Sequence, residues 1–214
     1  METGTGRPER GIVFVVEDDP LVQRAIARLL RTAGHRVETF DTVGAFLRRR
    51  VPAEPACVVL DLHLPDGNGL EVLERLAERD LPIAAVVLTA HGDVPTTVRA
   101  MRTGALELHE KPVDNDRLLE VVEEGLSRSA DLRRRQRRRR RLSGRLGSLS
   151  PRQRQVFELV VVGRANKEIA ARLGISEKTV KAHRGEVMRR MKADSLADLV
   201  RISTEMEAGG AGGS

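Results

Sequence analysis

The chain has 214 residues, 40% of them hydrophobic but only 2% aromatic, with one Cys, no Trp, no Tyr and a formal net charge of +6. That is enough for two small domains with aliphatic cores or one larger one, and it leaves little for stacking single-stranded nucleic acid. No run nears the roughly 18 apolar residues of a membrane span, and residues 1–10 are polar with no apolar signal segment, so a cytoplasmic protein with no membrane partner is expected.

Residues 1–10 read as a flexible N-terminus, after which strand and helix patterns alternate. Strands are expected near 11–16, 36–40, 56–61, 83–88 and 106–110. Amphipathic stretches fall near 20–33, 42–50, 67–79 and 94–103, with another from about 115 that carries Leu118, Leu119, Val122 and Leu126 at helical spacing. Gly34, Gly67 and Gly104 punctuate helix ends or turns. The run Ala56 to Leu60 is apolar throughout, as in a strand covered on both faces. Cys57 inside it reads as a small buried apolar side chain in a reducing compartment. Five such units with short connections predict a doubly wound, five-stranded parallel sheet with helices on both faces.

Polar side chains collect at the carboxyl ends of these strands, where open α/β sheets hold ligands. The first strand ends in Glu17-Asp18-Asp19, the third in Asp61, the fourth in Thr89 and the fifth before Lys111-Pro112. Any one of them would pass as a chance cap on a buried strand. Four together suit a single task, holding Mg²⁺ and a phosphoryl group beside a carboxylate nucleophile. Asp18 and Asp61 would supply carboxylates to the metal, Glu17 would act through water, and the backbone carbonyl of His63 would be a further ligand. Lys111 would pair with the acidic cluster at rest and with phosphoryl oxygens later, and Thr89 would donate its hydroxyl.

The segment 131–147 marks a boundary: nine of the fifteen residues from Asp131 to Arg145 are Arg. It reads either as a solvated, self-repelling connector or as an arm on DNA phosphates, and the fifth helix is able to run on into it. Charge changes sign here. Residues 1–130 carry 16 basic against 22 acidic side chains and residues 131–214 carry 21 against 9, which makes the second part a candidate for nucleic acid.

Residues 148–207 read as all-helical. Ser150-Pro151-Arg152-Gln153 is a capping box with Pro at the first helical position. Val156, Leu159 and Val160 follow as an apolar stripe ending at Gly163. Asn166 is expected to cap a short helix carrying Ile169, Ala170 and Leu173. Gly174 then makes the turn, and Ser176 caps a basic helix with Val180, Val187, Met188 and Met191 on its apolar side. Helix, tight Gly turn, basic helix is a helix-turn-helix pattern. Residues 208–214 read as a flexible tail.

The motifs Val-Val-Glu-Asp-Asp (15–19), Asp-Leu-His-Leu-Pro-Asp-Gly-Asn-Gly (61–69), Leu-Thr-Ala-His-Gly-Asp-Val-Pro (88–95) and Glu-Lys-Pro (110–112) resemble those of a two-component receiver domain. Leu-Ser-Pro-Arg-Gln-Arg-Gln-Val (149–156) and the stretch Asn166 to Arg184 resemble a LuxR-type helix-turn-helix. Together, in this order, they make the chain similar to response regulators of the FixJ/NarL type, closest to the FixJ-like branch. The resemblance implies a flavodoxin-like strand order 2-1-3-4-5 for the (βα)5 receiver, 11–130, followed by a four-helix DNA-binding domain. It implies that Asp61 accepts phosphate from a sensor histidine kinase, and that the chain is a transcription regulator rather than an enzyme. Phosphorylation would promote a homodimer through the 94–125 surface or release the DNA-binding domain, acting on promoter DNA and, in an activator, on RNA polymerase.

By the same resemblance Thr89 and the residue three before the lysine form a switch. The family usually has an aromatic there, whereas this chain has Leu108, which either makes the same inward move with less volume or couples Thr89 to the 94–110 surface differently. His63 and His91 lie where the family tunes phosphate lifetime. Lys181, Ala182 and Gly185 fall where relatives approach base edges, and Lys178, Thr179, His183, Arg184 and Arg189 where they hold phosphates. Leu196, Leu199, Val200 and Ile202 serve either a dimer contact or the core. The chief rival is an aspartyl-phosphate phosphatase of the haloacid-dehalogenase type, but its nucleophile follows the first strand in an Asp-x-Asp arrangement, and here the candidate follows the third. A second rival, a DNA-binding protein with a vestigial receiver, is opposed by the complete set Asp18, Asp61, Thr89 and Lys111.

Overall fold

The computed structural model describes residues 11–90 and 92–208, so the expectations for residues 1–10, His91 and 209–214 lie outside the described residues. The chain divides into two compact units, Met1–Arg134 and Arg135–Ser214. In the first, β1 (Ile12–Val16), α1 (Pro20–Thr32), β2 (Arg36–Phe40), α2 (Val43–Arg48) and β3 (Ala56–Asp61) come in order. A two-residue hairpin follows, β4 (His63–Leu64) against β5 (Gly67–Asn68), then α3 (Gly69–Glu78), β6 (Ile83–Thr89), α4 (Val94–Thr103), β7 (Glu107–Glu110) and α5 (Asn115–Gly147).

The five long strands form one sheet in the order β2-β1-β3-β6-β7, and every pairing is parallel. With the hairpin set aside, this is the expected 2-1-3-4-5 order. Alternation along the strands explains the double winding, because successive side chains point to opposite faces. Phe14, Val58, Leu60, Ala85 and Val87 pack on one side with Phe46, Leu73 and Ala100 from α2, α3 and α4. Val13, Val15, Val59, Val86 and Leu88 pack on the other with Ile26 and Leu30 from α1 and Leu118, Val122 and Leu126 from α5. Cys57 belongs to this second layer, and burial pushes its thiol up to about 12, so it stays a neutral packing group.

The helices start where local chemistry provides acceptors. The Asp19 carboxylate accepts from the N–H groups of Leu21 and Val22 at 2.7 and 3.2 Å, with Pro20 opening α1. The third helix begins at Gly69 rather than 67, because Gly67 and Asn68 pair with Leu64 and His63 before Asn68 caps it through Leu70 N–H at 2.9 Å. The fifth helix does continue through the arginine run, as far as Gly147.

The second unit holds the end of α5 with α6 (Pro151–Val161), α7 (Asn166–Leu173), α8 (Glu177–Met191) and α9 (Leu196–Ala208). Its core gathers Val156, Val160, Ile169, Val180, Val187, Met191, Leu199 and Ile202, and also Leu142 from α5. Leu199 and Ile202 are therefore core, whereas Leu196 and Val200 stay exposed. The Ser150–Gln153 capping box forms, Gly174 turns at φ 63°, and Ser176 caps α8 through Thr179 N–H at 3.1 Å. Asn166 does not cap α7. Ala165 holds that position with no side-chain acceptor to offer, so the Glu168 carboxylate takes the Ala165 N–H at 2.8 Å instead. Asn166 lies one residue further in, where its Oδ1 accepts from Arg184 Nη1 at 2.9 Å.

Candidate functional site

The sheet delivers the polar residues as its topology requires. Because β1 and β3 are paired neighbours, Glu17 and Asp18 emerge beside Asp61, and carboxylate oxygens of the three lie within 4.8 Å of one another. Glu17 and Asp61 are buried, 3% and 7% exposed, while Asp18 is open to solvent. Lys111 reaches back from beyond β7, and its Nζ lies 2.5 Å from both Glu17 Oε2 and Asp61 Oδ2. The backbone N–H of Lys111 donates to the Thr89 carbonyl at 2.8 Å, which ties the lysine to the end of β6. Thr89 itself is fully buried there. His63 is exposed, and its N–H donates to Asp61 Oδ1 at 3.0 Å, so both carboxylate oxygens of Asp61 have partners.

Charge and burial compete at this point. Desolvation is the largest influence on Glu17 and holds its carboxyl above the ordinary value, against the opposing pull of Lys111. Burial also tends to lower Lys111, but its hydrogen bonds with Asp61 and Glu17 outweigh this and raise it. An ammonium more strongly protonated than usual, clamped between two buried carboxylates, is a compact neutralising device.

Leu108 is half-buried on β7 and packs against the α2–α4 side of the sheet. Three supports were not foreseen from sequence. Gly69 sits so close that a Cβ there would come 2.3 Å from the Asp61 carbonyl, so only glycine lets α3 start this near the acidic cluster. The Asp66 carboxylate accepts from the N–H groups of Val43 and Gly44, each at 2.8 Å, and fastens the Asp61 loop to the start of α2. Buried Ser129 accepts from Ala56 N–H at 2.9 Å and donates to the Pro82 carbonyl, joining α5 to the first ends of β3 and β6. The Asp-Gly and Asn-Gly pairs at 66–69 were the available signal for the first two; a lone serine in a helix gives none.

On the second unit, Lys178, Lys181, Ala182, Gly185 and Arg189 are exposed along α8, and nothing crowds the open side of Gly185. Lys178 and Lys181 have no acidic partner among the described residues. Thr179 shares a hydrogen bond with Ser176 at 2.8 Å, Arg184 is engaged by Asn166, and Arg189 pairs with Glu186 at 2.6 Å. His183 is half-buried.

Residues 13–123 match the response regulator receiver domain, and residues 147–203 match the luxR family of bacterial regulatory proteins. The chain belongs to the response-regulator family. It is 42% identical to the transcriptional regulatory protein FixJ of Azorhizobium caulinodans, over 92% of this chain and 93% of that protein. It is 41% identical to nodulation protein W of Bradyrhizobium diazoefficiens, over 91% and 86% of the two chains. Among solved structures, response regulator StyR at low resolution superposes with a TM-score of 0.79 and 42% identity, covering 92% of this chain and 99% of that one. The chain is thus a transcriptional response regulator of two-component signalling, with an acidic receiver pocket and a LuxR-type DNA-binding domain, and a kinase and DNA are its implied partners. No helix among the described residues is long and apolar enough to cross a membrane.

Proposed function

We propose that Asp61 is the phosphoryl acceptor and that its modification controls promoter binding through α8. The observation that carries this reading is the Lys111 ammonium at 2.5 Å from both Asp61 and Glu17, at the end of a sheet that also brings Asp18 within reach. Three converging carboxylates are hard oxygen donors, and such a set fits Mg²⁺, which takes carboxylates, carbonyls and water. Glu17, Asp18 and Asp61 would hold it, with the His63 carbonyl as a further ligand. Bound there, Mg²⁺ would offset negative charge on the phosphoryl oxygens.

An Asp61 carboxylate oxygen attacks phosphorus while the donor's bond to phosphorus breaks and the leaving group departs with the electron pair. Lys111 gives up its hold on Asp61 and pairs with a phosphoryl oxygen. Thr89 donates its hydroxyl to another, and Leu108 follows it inward from its half-buried position. Dimerisation, promoter occupancy and contact with RNA polymerase in an activator are the outputs of that rearrangement. On α8, Lys181, Ala182 and Gly185 face base edges, and Lys178, Thr179, His183, Arg184 and Arg189 secure the helix on phosphates. Arg184 would exchange Asn166, and Arg189 would exchange Glu186, for a phosphate on binding.

Asp61→Asn tests the acceptor. Incubated with Mg²⁺ and acetyl phosphate, the wild type should gain one acid-labile phosphoryl group and the variant none. An unchanged rate of labelling in the variant would overturn the assignment.

A further inference from the structure

Six of the seven residues from 135 to 141 are arginine, and α5 holds them on a continuous helix within the second unit. This segment is not a loose tether to that unit. Leu142 is 5% exposed in its core, Arg138 pairs with Glu205 at 2.8 Å, and Arg145 Nη1 donates to the Met191 carbonyl at 3.0 Å. From the other side Arg190 Nη1 donates to the Ser148 carbonyl at 2.7 Å. The stretch just after the basic run, Arg145 to Ser148, is therefore fastened to the C-terminal end of α8, and the run itself is held through Arg138 against Glu205 of α9.

Like charges three and four residues apart on a helix repel, and α5 carries several such pairs with little compensation. Arg135, Arg139, Arg140 and Arg141 are exposed and have no acidic partner among the described residues. In helix-turn-helix docking the N-terminal part of the recognition helix reads base edges, and in the homeodomain variant its C-terminal end contacts the sugar–phosphate backbone. The run begins roughly 6 Å and ends roughly 15 Å along the helix axis from Arg145, at 1.5 Å per residue.

Resting on the reading of α8 as the DNA-contacting helix, we infer that Arg135, Arg139, Arg140 and Arg141 form a second, sequence-independent contact with duplex DNA. They bind phosphates beside the half-site, so the arginine segment is part of the DNA-binding surface and not only a connector. Its contribution is counterion release, which sets affinity and salt dependence but not sequence choice.

The test uses the full-length chain and a fluorescent random-sequence duplex, titrated between about 50 and 200 mM salt. Replacing the four arginines by Gln should make the slope of log affinity against log salt shallower by about 2–4 per bound protomer, as expected near 0.9 per phosphate. Replacing the same four by Lys, which keeps the charge, should retain the wild-type slope. If the Gln variant keeps that slope while the wild type binds, this inference falls and the reading of α8 stands. If the wild type binds no duplex at all, both fall. A Lys variant as shallow as the Gln variant would also overturn it, since phosphates accept either cation.

Discussion

Replacing Lys111 by Met keeps the aliphatic stem and removes the charge from the acidic cluster. Glu17 and Asp61, 3% and 7% exposed, then face one another with no cation between them. With oxygens within 4.8 Å, two unit charges repel by about 3.5 kcal/mol at an effective dielectric near 20. Protonation sets a ceiling on that penalty. Neutralising a carboxyl of ordinary value 4.5 at pH 7 costs about 3.4 kcal/mol, and Glu17 already sits above that value through burial, so it costs less. The expected loss at pH 7 without metal is therefore about 2–3 kcal/mol.

The sign of the pH dependence follows from the same groups. Lys111 is raised above its ordinary 10.5, so its contribution is complete below that pH and is lost only as pH rises through the folded value. Lys111 is thus fully charged in the wild type at pH 7 and at pH 5. In the variant the ceiling falls to about 0.7 kcal/mol at pH 5, because a carboxyl is then almost free to protonate. Hydrogen exchange at the amides of Val58, Val59 and Leu60 reads the opening free energy of this sheet, and it suits a chain with no Trp. Adding Mg²⁺ should restore much of the loss by binding only the folded cluster. A variant as stable as wild type at pH 7, or a loss of equal size at both pH values, would refute the view that the ammonium compensates two buried carboxylates.

Leu142→Ala should destabilise the second unit by about 2–4 kcal/mol, as for a buried leucine that leaves a cavity; exchange protection in α6 measures it, and a loss under about 1 kcal/mol would remove the end of α5 from that core. Lys181→Ala should weaken binding to the promoter operator by about 1–3 kcal/mol and relax sequence preference. An equal loss on random DNA in a competition assay would make Lys181 a phosphate contact instead.

What the sequence made legible depended on how many constraints met at one residue. The central strands were readable because burial on both faces demands near-continuous apolar runs, and Val13 to Val16 and Cys57 to Leu60 have no alternative place to go. The acidic cluster was readable because its members follow the carboxyl ends of strands, and the 2-1-3-4-5 order sets the first strand beside the third. The N-cap of α7 was misread because Asn166 carries the right side chain one position too late, and Glu168 supplies the missing acceptor from inside the helix. Asp66 and Ser129 were not read because their partners, Val43 and Gly44 for one and Ala56 and Pro82 for the other, are distant in sequence.

The arginine segment shows why charge alone is ambiguous. Composition distinguished a solvated connector from a DNA arm poorly, since both need the same residues on the same helix. Leu142 changes the balance. An apolar side chain at the end of the run is buried among Val156, Met191 and Leu199, and that single anchor makes the preceding arginines a fixed feature of the DNA-binding unit. A helix held in place by packing keeps little of the backbone freedom that a tethered segment must lose on binding, so the attraction of its charges to phosphate is less offset by entropy.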